Sequence, residues 1–107
     1  MYTYSATITR WIDGDTVKAV LDLGFSITVT ETFRIVNINA PEMNTQGGPA
    51  AKAFAESLLP PNSVVLIQTF KKDKYGRWLA DFPFLDGTTL SERMVKNGHV
   101  VPYMVGM

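Results

Sequence analysis

Two aspartates flank a glycine at Asp13-Gly14-Asp15, where one alternating apolar segment gives way to the next. Carboxylates held on one tight turn can converge on a hard cation, which prefers oxygen ligands. The same residues are also ordinary turn chemistry. Arg34 stands between Phe33 and Ile35, in a run where strand residues are normally β-branched or aromatic, so its charge is paired, functional, or on the solvent-facing side of the alternation. Glu42 follows Pro41, whose fixed φ and restricted predecessor hold the chain and so aim the carboxylate. Arg77 closes Lys71-Lys72-Asp73-Lys74-Tyr75-Gly76, a cationic run with one aromatic, suited either to phosphate contact with stacking or to a solvated loop tip.

One chemistry uses the whole set. A cation polarises a phosphodiester, a glutamate takes the proton from water, and two guanidiniums stabilise charge developing on the phosphoryl oxygens. Arginine suits the last role because its planar fork can engage two phosphate oxygens at once. No serine triad, P-loop or histidine metal site is present, and His99, the single histidine, reads as a core or surface residue beside Gly98, Val100 and Val101.

The elements that must position these residues follow from periodicity. Tyr2, Tyr4, Ala6, Ile8 and Ile12 fall on alternate positions, as do Val17, Ala19, Leu21 and Leu23, the period of half-buried strands. Gly24 interrupts the second run, Phe25, Ile27 and Val29 resume it, and Phe33 to Ile38 continues as a strand. A loop over Asn44, Gln46, Gly47 and Gly48 leads to Pro49 at a first helical position. Ala50, Ala53, Phe54, Ser57 and Leu58 then keep helical spacing up to Pro60-Pro61. Val64 to Phe70 is a strand, Lys71 to Arg77 a hairpin loop, and Trp78, Ala80, Phe82 and Phe84 a strand that Pro83 places at an edge or bulge. Thr89-Leu90-Ser91-Glu92 is a capping box opening a short helix that Gly98 ends. The order β-β-β-α-β-β-α gives an α+β, mainly β class: a five-stranded OB-fold barrel, a layout that commonly binds oligonucleotides on one face.

A chain of 107 residues is one domain's worth, expected to span 1-107. Cysteine is absent, which excludes disulfides, thiolate metal sites and a cysteine nucleophile. The apolar runs are too short to span a bilayer and the N-terminus lacks the pattern of a secretory leader, so a cytoplasmic location without membrane attachment is the expectation. Formal net charge is zero, so any nucleic-acid binding must rest on local charge.

In order and spacing, Ile12-Asp13-Gly14-Asp15-Thr16-Val17, Phe33-Arg34, Ala40-Pro41-Glu42, Asp73-Lys74-Tyr75-Gly76-Arg77, and Glu92 with Gly98 resemble the successive motifs of the staphylococcal nuclease (thermonuclease) family, over roughly residues 4 to 103. The resemblance implies a calcium-dependent endonuclease of DNA and RNA that leaves 3′-phosphate ends. It implies Asp15 as a direct calcium ligand with Asp13 in the outer shell, Arg34 and Arg77 as catalytic arginines, and Glu42 as general base or water-positioning group. It also implies that Lys74 and Tyr75 contact the nucleotide's terminal phosphate. Lys71 and Lys72 join this nucleic-acid-binding set through their charge, and Tyr103 as part of the nucleotide platform.

The chain departs from the family pattern in three places. Asn39 stands where the family has a second calcium-binding aspartate, and Ala40 where a threonine lends a backbone carbonyl to the metal. Both can still offer an oxygen, but the site loses one negative charge, which leaves magnesium or manganese as alternatives to calcium. The loop between Glu42 and the first helix is short, and no long C-terminal helix is expected after Tyr103. Two competing readings remain: a domain of the same fold that binds nucleic acid or protein without turnover, and an assembly protein that exposes an apolar surface.

Overall fold

The alternating segments of the first third fold into three antiparallel strands, β1 (Tyr2–Asp13), β2 (Thr16–Asp22) and β3 (Thr28–Ile35), in a computed structural model that describes residues 1–103. A two-residue strand β4 (Ile38–Asn39), helix α1 (Gly47–Leu58), strands β5 (Val64–Lys72) and β6 (Trp78–Asp81), helix α2 (Leu90–Lys96) and a second two-residue strand β7 (Val101–Pro102) complete the order. Five strands close into a barrel in the order β1-β2-β3-β6-β5, and β4 pairs with β7 outside it. Closure comes from β3 and β6, which run parallel with Phe33 beside Trp78 and Ile35 beside Ala80. The fold is therefore the mainly β, OB-type barrel with two helices that the element order implies. The expected absence of a long C-terminal helix concerns the chain beyond Tyr103, and residues 104–107 lie outside the described residues. Among the described residues no helix is long and apolar enough to cross a membrane.

The core fills the barrel with Ile8, Trp11, Val17, Phe33, Ile35, Ile67 and Phe82, all at 1% exposure or less. Each large side chain so buried contributes about 1.5–3 kcal/mol of transfer free energy. Trp11 is satisfied as well as buried, its indole N–H donating to the Leu59 carbonyl at 3.0 Å.

Six details depart from the periodicity. Two lie at the β5–β6 hairpin, where Lys71 and Lys72 belong to β5 rather than to the loop and β6 ends at Asp81, short of Phe82 and Phe84. In β1 the pairing with β2 shifts between Ile8 and Arg10, so the phase slips and Trp11 points inward while Ile12 is exposed. A bulge adds one residue, and one residue inverts every later side chain. Leu23, Phe25 and Ile27 are exposed rather than on inward strand positions. They surround a turn in which Gly24, Phe25 and Ser26 all have positive φ. The expected strand Phe33 to Ile38 is split, because Asn37 adopts φ 62° and separates β3 from β4. Finally, α1 begins two residues before Pro49 and buries Gly48, Ala51 and Ala55, not the face through Ala50, Ala53 and Ser57. In so alanine-rich a segment several faces score as apolar, and the face that wins has the smallest side chains.

Helix α2 matches its sequence signals. The Thr89 side chain accepts from the Glu92 N–H and the Glu92 carboxylate accepts from the Thr89 N–H. At the other end the His99 N–H donates to Met94 O and the Gly98 N–H to Val95 O, with Gly98 at φ 75°, a Schellman closure. His99 stacks on Phe54 with ring centroids 4.4 Å apart, a packing role. Asp81 ties β6 to this helix, its carboxylate accepting from the Ser91 N–H at 3.1 Å and the Ser91 hydroxyl at 2.5 Å.

Burial raises the Asp81 carboxyl above its ordinary range, against the opposing hydrogen bonds from Ser91 and Phe82. The folded state thus favours the protonated form. Its contribution to stability is full below the unfolded value of about 3.9 and is lost as pH rises through the folded value. Asp81→Asn keeps the acceptor oxygen and removes the titration. Urea midpoints measured from pH 4 to 7 should show the wild type losing ground to the variant as pH rises, and parallel profiles would refute this account.

Candidate active site

The turn between β1 and β2 is shaped by its own side chains. The Asp15 N–H donates to Asp13 Oδ1 at 3.0 Å, an aspartate turn, and Gly14 lies buried between the two carboxylates. A Cβ on Gly14 would sit 2.7 Å from the Ala51 side chain and 3.0 Å from that of Ala40. The glycine is needed here for close approach to α1, with no demand on its φ. Asp15 is 8% exposed and fully engaged: the Thr16 hydroxyl donates to Oδ1 at 3.0 Å and the Ala40 N–H to Oδ2 at 2.9 Å. Burial works against its ionisation, but hydrogen bonds from Asp13, Ala40 and Thr16, with the Arg34 charge, outweigh it and hold the carboxyl below its ordinary value. Asp13 moves the other way, raised by burial and by its neighbour Asp15.

Arg34 is the hub of the next layer. From its position on β3 opposite Thr16, its Nη1 donates to Ile35 O at the end of the same strand at 2.7 Å, and Nη2 to Ile38 O and Asn39 Oδ1 on β4 at 2.7 Å each. The same Nη2 lies 3.3 Å from Asp15 Oδ2. Arg34 therefore ties the β1–β2 turn to β4 as well as facing the cleft.

Arg77 is held by its own hairpin. Asp73 Oδ1 accepts from the Tyr75 and Arg77 N–H groups at 2.9 Å, and Oδ2 receives Arg77 Nε and Nη2 at 2.9 Å. Desolvation is the largest single influence and works against ionisation, but these donors and the guanidinium charge together outweigh it and lower the Asp73 carboxyl. Tyr75 is exposed, and the Arg77 and Lys74 charges lie 5.5 Å and 5.3 Å from its ring centroid.

Glu42 is fixed through its backbone. Its carbonyl accepts from the Thr45 N–H at 3.0 Å and the Thr45 hydroxyl at 2.6 Å, while its side chain is exposed. Beneath it lies Gly48, where a Cβ would come 2.2 Å from Glu42 O and 2.7 Å from the Met43 Cα. In a helix alanine is normally favoured over glycine by about 1 kcal/mol. Here the overlap is with backbone and cannot be relieved by a rotamer. Gly48→Ala should therefore destabilise the fold by about 1–3 kcal/mol and reduce turnover by moving Glu42. A raised melting temperature would show that the Glu42–Thr45 turn yields freely.

These elements converge on one cleft of ≈ 670 Å³. It is lined by every candidate: Arg34, Glu42 and Arg77; Asp13, Asp15, Asn39 and Ala40; and Lys71, Lys72, Lys74, Tyr75 and Tyr103. A shallower depression of ≈ 380 Å³ between β4 and α2 holds none of them. Tyr103 reaches the cleft because β7 pairs with β4 and the Tyr103 N–H donates to Asn37 O at 2.8 Å. Sequence reasoning missed this pair, since two-residue strands carry no period. It also missed Gly14 and Gly48 as close-approach positions; the runs Asp-Gly-Asp and Gly-Gly-Pro were the available signal. Leu79 and Asp73 are also part of the lining, the second as the anchor of Arg77.

The family model described as "Staphylococcal nuclease homologue" matches residues 32–105. A protein of Escherichia coli O157:H7 and one of Escherichia coli, each named "Uncharacterized endonuclease", are 32% identical over 91 residues, 85% of this chain. That match covers 56% of each relative, so the chain spans about half the length of the curated relatives it matches.

Proposed function

Since the chain belongs to the family of staphylococcal nuclease homologues, we propose that it is a metal-dependent endonuclease hydrolysing phosphodiester bonds of DNA, RNA or both, with calcium as the cation. The observation that carries this reading is the convergence of Arg34, Arg77, Glu42 and the Asp13–Asp15 turn on one cleft rimmed by lysines.

The donor set fits a hard divalent cation. Asp15, Asp13, the Ala40 carbonyl and Asn39 would supply oxygen ligands only, as calcium and magnesium prefer. Among the described residues no group of three acidic, histidine or cysteine side chains gathers, so the site offers little protein charge. When bound, the ion supplies Lewis-acid polarisation of the phosphodiester.

The chain's own residues do the rest. Glu42 accepts the proton of the attacking water from an exposed position above a fixed backbone. Arg77, held on Asp73 through Nε and Nη2, offers its remaining Nη1 to a phosphoryl oxygen. Arg34 keeps Nη1 on Ile35 O of β3 and Nη2 on Ile38 O and Asn39 of β4; among the described residues its Nε has no hydrogen-bond partner and is the donor left for the phosphate. The lysines and Tyr75 hold the flanking phosphates.

The test is incubation of the purified protein with plasmid DNA and with RNA in calcium, magnesium, manganese or chelator. Cleavage in calcium that chelator stops is the expected result. Asn39→Asp adds one ligand charge, and the half-saturating calcium concentration should fall on the order of tenfold, since charge count tunes such sites over decades. The saturated rate should change less. Cleavage by neither form in any metal would leave the non-catalytic binding domain as the reading.

A further inference from the structure

The outer face of β1–β3 continues from the cleft and carries a pattern of its own. Thr28, Thr30, Thr32 and Arg34 occupy alternate positions of β3, so three hydroxyls lead along one face to an arginine that lines the cleft. The residues between, Phe33 and Ile35, are 1% exposed, which makes that face the outer one. Lys18 on β2 lies opposite Thr32, and Arg10 on β1 lies opposite Lys18. The β1 bulge that turns Trp11 inward also sets Arg10 there: Ile8 pairs with Ala19 and Arg10 with Lys18, two steps on β1 against one on β2.

Like charges directly opposite each other on a sheet are destabilising. Nothing nearby offsets this pair. Among the described residues the ion pairs are those of Arg34, Arg77 and Arg93. The carboxylates of β2 and β3 are engaged otherwise: Glu31 takes the inward register of buried Ala19, and Asp22 is held in the β2–β3 turn, accepting from the Gly24 N–H at 2.8 Å. Lys18 and Arg10 stand one residue pair along from Thr16 and Arg34, both cleft residues. At about 3.3 Å per residue and about 4.8 Å per strand, their Cα atoms lie about 8 Å and about 12 Å from that of Arg34.

We infer that this face is a docking surface for the nucleic-acid backbone, in which Arg10, Lys18 and the threonine stripe take the phosphates that leave the cleft beside Arg34 and cross β3, β2 and β1. This rests on the proposed nuclease reading and adds to it the direction in which the substrate runs. The cations supply charge, and threonine hydroxyls are ordinary donors to phosphate oxygens. None of these positions is aromatic, so no base is stacked, and paired and unpaired strands are held alike. Such contacts fix register without reading sequence.

The experiment measures binding without turnover in calcium, using a phosphorothioate DNA duplex and its separated strand, whose linkages resist cleavage. Lys18→Ala and Arg10→Ala should each lower the slope of log affinity against log salt, by about 0.9 for the duplex and about 0.7 for the single strand. On plasmid DNA each should raise KM and leave kcat unchanged. Lys18→Glu separates the surface from the fold. It turns the like-charge pair into a cross-strand ion pair with Arg10, so it should melt at or above the wild-type temperature and yet bind more weakly than either alanine variant. The chain has no cysteine, so Thr30→Cys and, on an exposed position of α1, Ser57→Cys each carry a single thiol. The duplex should protect the first from alkylation and leave the second reactive.

Unchanged salt slopes in both alanine variants, with the thiol of Thr30→Cys as reactive as that of Ser57→Cys, would reduce the face to a solvated sheet surface while the nuclease reading stood. Effects confined to the single strand would overturn the backbone-only account. Failure of the wild type to bind or cut DNA would overturn both.

Discussion

Turnover should fall by at least about a hundredfold when either Arg34 or Arg77 is replaced by alanine, the scale for removing one pre-organised stabiliser of transition-state charge. The two variants should differ in everything else. Among the described residues the Arg77 guanidinium pairs with Asp73 and lies over the Tyr75 ring, and Asp73 keeps the Tyr75 and Arg77 backbone N–H groups when the guanidinium is gone. A partly exposed pair of this kind contributes about 1 kcal/mol or less, so Arg77→Ala should melt near the wild-type temperature. Arg34→Ala strips donors from Ile35 O, Ile38 O, Asn39 and Asp15 at once. Each acceptor left unmet away from water costs about 1–3 kcal/mol. In a domain of this size each kcal/mol is worth about 4–8 °C, so Arg34→Ala should melt well below wild type. Single-turnover rates at saturating substrate and a thermal melt of each variant check both halves. A retained rate in Arg77→Ala would remove that arginine from the mechanism, and an unshifted melt in Arg34→Ala would show that water replaces its contacts to β4.

This double duty of Arg34 marks a limit of sequence reading. Its position in a strand-like run left a paired, functional or solvent-facing charge open, and sequence could not show which pairs it makes, because two of its partners, Ile38 and Asn39, come from β4, whose two residues carry no period. The same holds for Asn39. As a departure from the family pattern it was visible; that its amide oxygen already accepts from Arg34 depends on the left-handed turn at Asn37.

The long elements were legible because burial on one face forces alternation, and the two barrel hairpins and the α2 capping box followed from it. What stayed hidden was everything set by one residue of phase or one missing Cβ. The β1 bulge moved Trp11 inward, the β5 bulge aimed Lys71 and Lys72 together, and Gly48 let the backbone of Glu42 rest on α1. Such features break the period by which strands and helices are recognised, and here two of the three shape the cleft.

Glu42→Gln isolates the remaining chemical step. The side chain is exposed and the residue is fixed by its carbonyl, through Thr45 and Gly48, so an isosteric amide should leave fold and melting temperature unchanged. A positioned base contributes typically about 10²–10⁴-fold, and kcat should fall by that much. Substrate affinity should hold or tighten, since a negative charge has left a phosphate-binding cleft. Affinity and kcat together separate a lost proton acceptor from lost binding. The pH profile then separates two roles for the carboxylate. A base must be ionised, so the wild-type rate should fall in acid, and the residual rate of Glu42→Gln should lack that limb. A group that only orients water works through a hydrogen bond, which the amide oxygen also accepts. If Glu42→Gln keeps most of the rate at neutral pH and loses only the acid limb, Glu42 positions the water and the proton leaves by another route.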